Sequence, residues 1–121
     1  MTPDYFKIGI TFSAIFTIII CVGTLTSLSE KVDLPGGDKL HHFIAFAALS
    51  IAMTFVNLSY WKVILPYGWM LGAIIEIIQP YVNRYGNATD FYAGAMGSLF
   101  GLAIGLMLFK LKNFLLSDVR Q

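Results

Sequence analysis

Charge is scarce in this sequence. Of 121 residues, 8 are Lys or Arg and 7 are Asp or Glu, leaving a formal net charge of +1. At 12% the charged share is about half that of ordinary soluble domains. A chain this short has much surface for its volume, and a water-facing fold would need more polar groups to cover it. The balanced charge also excludes the broad basic field that nucleic-acid binding uses. Cysteine is nearly absent. Cys21 stands alone in an apolar run, closes no internal disulfide, matches no metal-ligand spacing and reads as a small hydrophobe. There is no low-complexity tract, no convincing internal repeat and no glycine fingerprint for nucleotides. No cofactor is expected.

What is abundant is apolar. Hydrophobic residues make up 57% of the chain, and the mean hydropathy is +0.73. They fall into four runs, at approximately 6–27, 40–57, 61–79 and 91–110. Each is close to the roughly 20 residues that cross ~30 Å of hydrocarbon as a helix. Backbone groups in lipid must be satisfied within the segment, so each run is expected to be helical. The fold class is therefore an all-α membrane protein, a four-transmembrane-helix bundle in one domain over 1–121. The first run is longer than a signal-peptide core and no A-x-A-like site follows it, so it is expected to stay as a span.

The connections carry turn formers, including Pro35, Gly36, Asn83, Gly86 and Asn87. Lys7, Lys62, Lys110, Lys112 and Arg120 would share one side of a four-span chain, against Lys31, Lys39 and Arg84 on the other. That bias predicts both termini in the cytoplasm. Tyr60, Trp61, Tyr67, Tyr81 and Tyr85 read as interfacial anchors.

The unusual polar residues gather at the opposite, outer end. Asp38, Lys39, His41 and His42 open the second span, Glu76 and Gln79 close the third, and Arg84 and Asp90 flank the start of the fourth. Asp38 and His42 are four residues apart, so the carboxylate is placed to orient the imidazole. Glu76 and Gln79 share a face, and Gly72 on that face admits a neighbouring helix. From Asp90 a stripe of Gly94, Gly97, Ser98, Gly101 and Gly105 runs down one side of the fourth span. Small-residue stripes of this kind let helix backbones approach closely in membranes. The fourth helix is thus expected inside the bundle, carrying Asp90 into a pocket shared with His42 and Glu76.

Each residue also has a plainer reading. Asp38 and Asp90 are placed to cap helices. His41 suits a solvated interface, Lys39 suits snorkelling, and Arg84 suits a loop surface. Glu76 is harder to set aside, because an ionisable group within an apolar span is costly and functional by default. Its plainer reading is an ion pair with Arg84 or Lys39, or a hydrogen bond to His42, that only fixes the bundle. Adjacent His41 and His42 point about 100° apart on a helix, and no H-x3-H spacing exists, so no metal is expected.

Asp38-Lys39-Leu40-His41-His42-Phe43 resembles the D-K-x-x-H-F opening of the VanZ-like family of small membrane proteins. Glu76-Ile77-Ile78-Gln79 is similar to its E-x-x-Q, Arg84 and Asp90 to its R-x5-D, and Gly97 and Gly101 to its glycine pair. The resemblance runs from Asp38 to about Gly105. One position departs: the family usually has Asn four residues after the Asp, where this chain has Gly94. The resemblance implies a multi-pass protein of the bacterial cytoplasmic membrane and cell envelope, in a family named for teicoplanin resistance.

Three functions fit these residues. In the first, the pocket binds or processes an anionic envelope lipid or lipid-linked cell-wall precursor. Lys39 and Arg84 would hold phosphate oxygens, with Gln79 and Asp38 lining the ligand. Glu76, His42 and Asp90 would be candidates for acid–base catalysis. In the second, the pocket binds a headgroup, a glycopeptide-related ligand or a transported species without turnover. In the third, the charges join helix ends and a partner protein matters more. Membrane lipids are the expected partners, and a thin bundle is compatible with a homo-oligomer.

Overall fold

A computed structural model describes residues 4–26, 37–82 and 88–119, apart from the side chain of Asp38. The connections expected around Pro35 and at 83–87, together with Lys31, Arg84, Tyr85 and Arg120, lie outside the described residues. Among the described residues there are four α-helices and no strand: α1 Tyr5–Leu25, α2 Gly37–Val56, α3 Trp61–Ile78 and α4 Ala88–Val119. All four are long and apolar enough to cross a membrane. A 3-10 turn, Leu58–Tyr60, joins α2 to α3, and a second, Gln79–Val82, extends α3.

Local chemistry sets the ends. Asp4 precedes α1 and accepts the Lys7 backbone N–H at 3.2 Å, which satisfies one of the open donors of a helix start. Asn57 stops α2 in extended conformation, and its side-chain oxygen accepts from the Ser59 N–H at 3.1 Å. Gly37 enters α2 at φ +62°, in the left-handed region that a Cβ disfavours. Asp38 is the second residue of α2 and Asp90 the third of α4; in its first-turn position the Asp90 carboxylate meets the positive end of the helix dipole.

The helices alternate in direction. Ends meet ends: Gln79 after α3 donates to the Thr24 carbonyl at the end of α1 (3.0 Å), and Gly9 near the start of α1 lies under the Tyr60 ring at the start of α3. A buried apolar core joins Ile20 of α1, Phe46, Leu49 and Met53 of α2, and Ile64 and Ile75 of α3. Large apolar residues such as Phe6, Ile18, Val63, Ile77, Phe100 and Met107 cover the outside. So much exposed apolar surface would be an association liability in water, whereas lipid tails would solvate it.

α4 gives no side chain to that core. It packs on α2 through its small-residue stripe, with Gly94, Gly97, Ser98, Gly101 and Gly105 all buried. A Cβ added at Gly97 would overlap the Phe43 carbonyl oxygen, and one at Gly101 the Ala47 carbonyl oxygen. At Gly105 it would meet Thr54 Cβ at 2.7 Å, and at Gly94 Phe46 Cδ2 at 2.9 Å. The helix expected inside the bundle is therefore only half inside. One face of α4 is buried, while α2 is the central helix and touches the other three.

α4 also runs nine residues beyond its expected end. At 1.5 Å per residue its 32 residues span about 48 Å, well past ~30 Å of hydrocarbon. Lys112 supports the extension. Its Nζ donates to the Phe55 carbonyl (3.1 Å) near the end of α2 and lies 4.7 and 4.8 Å from the Phe55 and Phe109 ring centres. A cation at a helix C-terminus and over aromatic faces is favourable on both counts.

Glycine substitutions test this packing. Gly101→Ala forces α4 off the α2 backbone and is expected to cost about 1–3 kcal/mol, as overpacking does. Gly23, with nothing within 4 Å of an added Cβ, is the control. Gly23→Ala is expected to be neutral or to stabilise by up to about 1 kcal/mol. Thermal unfolding of the two variants in one detergent reads the difference.

Candidate functional site

Three helices each send one ionisable side chain into the same space. His42 lies on the second turn of α2, Glu76 near the end of α3, and Asp90 on the first turn of α4. His42 Nδ1 is 3.6 Å from Glu76 Oε1, with the side chains 2% and 12% exposed. One ligand-type atom from each of His42, Glu76 and Asp90 lies within 4.8 Å of the other two. The fourth ionisable group is Lys39, whose Nζ is 4.0 Å from Asp90 Oδ1. Lys39 is largely exposed, at 58%, while Asp90 is buried, at 6%.

The sequence places them there for separate reasons. His42 heads the buried face of α2, followed by Phe46, Leu49, Ser50 and Met53 at steps of three and four. Glu76 follows Ile75, which is in the core. Gly72, four residues before Glu76, leaves room for Phe91 and Phe46, with Phe91 Cδ2 3.3 Å from an added Cβ. Asp90 is carried in by the glycine contact between α4 and α2. Phe46 closes the floor. It fills the space beside Gly94, and its ring centre is 6.5 Å from that of His42.

Phe46 accounts for the glycine at position 94. Any side chain at 94 would collide with its ring, so a bulky aromatic at 46 and a glycine at 94 complement each other.

Several sequence expectations are refined here. His42, Glu76 and Asp90 do converge, and Lys39 reaches them. Glu76, on another helix, is a carboxylate beside His42; the Asp38 side chain and Arg84 lie outside the described residues. Gln79, read as a ligand-binding residue, is buried with its amide turned to α1, where Nε2 donates to the Thr24 carbonyl. Tyr67, read as an anchor, hydrogen-bonds Thr17 of α1 at 2.5 Å. The signals missed were long-range partners: no spacing along the chain tells Gln79 to face Thr24.

Chemically, the site is a nearly dry cluster of two carboxylates and an imidazole, with the largely exposed Lys39 at its edge. Charges brought this close in a low-dielectric setting interact far more strongly than in water, and leaving any of them uncompensated is costly. The arrangement suits an anion at the Lys39 side, proton exchange between Glu76 and His42, or a cation between the carboxylates. No protein-family model, no curated protein and no solved structure matches the chain.

The role of Gln79 is separable by substitution. Gln79→Leu leaves the buried Thr24 carbonyl without this donor, and a lost buried hydrogen bond costs about 1–3 kcal/mol. The expected outcome is a lower melting temperature in detergent with ligand affinity unchanged. Lost affinity at unchanged stability would instead return Gln79 to the ligand site.

Proposed function

We propose that the chain is a VanZ-like protein of the bacterial cytoplasmic membrane that binds an anionic envelope lipid, such as a lipid-linked cell-wall precursor, at the end of the bundle formed by α2, α3 and α4. The observation that carries this reading is the pairing of an exposed Lys39 with a buried acidic and imidazole cluster near the helix ends. An ammonium at that depth meets phosphate oxygens as a charge-assisted donor, and its apolar stem suits snorkelling. The apolar outer faces of the helices lie where the lipid's chain would run. Arg84 supplies a second cation in this reading.

The Lys and Arg bias supports an outward-facing pocket with both termini in the cytoplasm. Contact between His42 and Glu76 favours a second reading, in which the pair shuttles a proton and the bound lipid is hydrolysed or transferred. Protection of a precursor from a glycopeptide would follow from either.

Native mass spectrometry of the purified protein with a polyprenyl phosphate, against phosphatidylcholine, tests the binding. The phosphate lipid is expected to be retained selectively, and Lys39→Ala to weaken it by about 10-fold or more, since a hydrogen bond to a charged group is worth roughly 1.5–3 kcal/mol. Equal retention of both lipids would end the proposal. Glu76→Gln separates the two readings: turnover requires the carboxylate, whereas binding alone survives its loss. A green fluorescent protein fused after Gln121 is expected to fluoresce, as a cytoplasmic C-terminus requires.

A further inference from the structure

We infer that His42, Glu76 and Asp90 form a binding site for a divalent transition-metal ion of the zinc type. This inference goes beyond the lipid reading and does not depend on it.

The absence of any linear metal motif does not bear against such a site. H-x3-H spacings arise when one helix supplies two ligands. Here three helices supply one each, a geometry that leaves no trace in spacing along the chain. The donors are one imidazole nitrogen and two carboxylate oxygens, a set that zinc and its first-row neighbours accept and that magnesium or calcium, which prefer oxygen alone, do not favour.

The distances fit with a small adjustment. Ligand atoms about 2.0–2.2 Å from a tetrahedral zinc stand roughly 3.4 Å from one another. His42 Nδ1 and Glu76 Oε1 are already 3.6 Å apart. The widest separation in the group is 4.8 Å, so closure requires a side-chain movement of about 1 Å, within the reach of a carboxylate rotamer. Three protein ligands leave at least one coordination position open.

Charge gives an independent argument. Glu76 and Asp90 bring two negative charges into a site whose side chains are at most 12% exposed. Lys39 stands 4.0 Å from Asp90, with most of its own side chain in the open. A dication held between the two carboxylates would meet both of them directly. Buried charges are retained where they are paired or coordinate a metal.

The test uses the full chain in detergent, stripped with a chelator, then dialysed against Zn²⁺ or Co²⁺. The expected result is on the order of one metal per chain, with visible Co²⁺ absorption of a four- or five-coordinate site. His42→Ala, Glu76→Gln and Asp90→Asn are each expected to lower affinity by about 10-fold or more, while His41→Ala and Cys21→Ser leave it unchanged. Lys39→Met is the decisive variant, because it removes the cation that competes for Asp90. It is expected to tighten Zn²⁺ while weakening a phosphate lipid, a pair of opposite effects that general misfolding cannot produce. Circular dichroism of each variant checks the helices. No stoichiometric metal in the wild-type chain, or binding that survives Glu76→Gln and Asp90→Asn but is lost in His41→Ala or Cys21→Ser, overturns the site. Either result leaves the lipid proposal standing, and a failure of lipid retention leaves this one standing.

Discussion

Lipid tails give membrane helices no hydrophobic reason to associate, so α2 and α4 depend on how closely their backbones can meet. Gly97 and Gly101 of α4 rest against the carbonyls of Phe43 and Ala47 in α2 with no room for a methyl group. This contact fixes the distance and the register between the two helices. It also fixes where the first turn of α4 must lie, and with it the Asp90 carboxylate. Had the stripe been alanine or leucine, Asp90 would stand farther from His42 and the polar cluster would be open.

The remaining packing follows from that constraint. Because α4 contributes glycine rather than side chains, the apolar core is filled by α1, α2 and α3. Phe46 serves both sides, as the largest buried core residue and as the filler against Gly94. α1 is held mostly at its flanks: Gln79 reaches Thr24 at one end, Tyr67 reaches Thr17 in the middle and Tyr60 covers Gly9 at the other.

The four spans and the convergence of His42, Glu76 and Asp90 were legible in the sequence. Run length reports a bilayer crossing, and small residues at steps of three and four report a buried face. Partners were legible only in part. Glu76 and His42 are expected to face each other from their similar depth in neighbouring helices, and they stand 3.6 Å apart. Gln79 shares a helix face with Glu76, yet its amide reaches the Thr24 carbonyl of α1, a partner that spacing along the chain does not reveal. The length of α4 was underestimated because Lys110 and Lys112 look like a terminus. In the fold, Lys112 lies along the aromatic end of α2, and the helix goes on.

The one-sided packing of α4 constrains its two faces very differently under mutation. Positions 94, 97, 101 and 105 admit almost nothing larger than what is there, whereas Met96, Leu99, Phe100 and Met107 need only remain greasy. Neutral drift in such a helix would scramble its lipid-facing letters quickly and spare a sparse comb of glycines. Descent among bundles built this way would be written in a few widely spaced positions, and a comparison that weighs every column alike would read mostly noise.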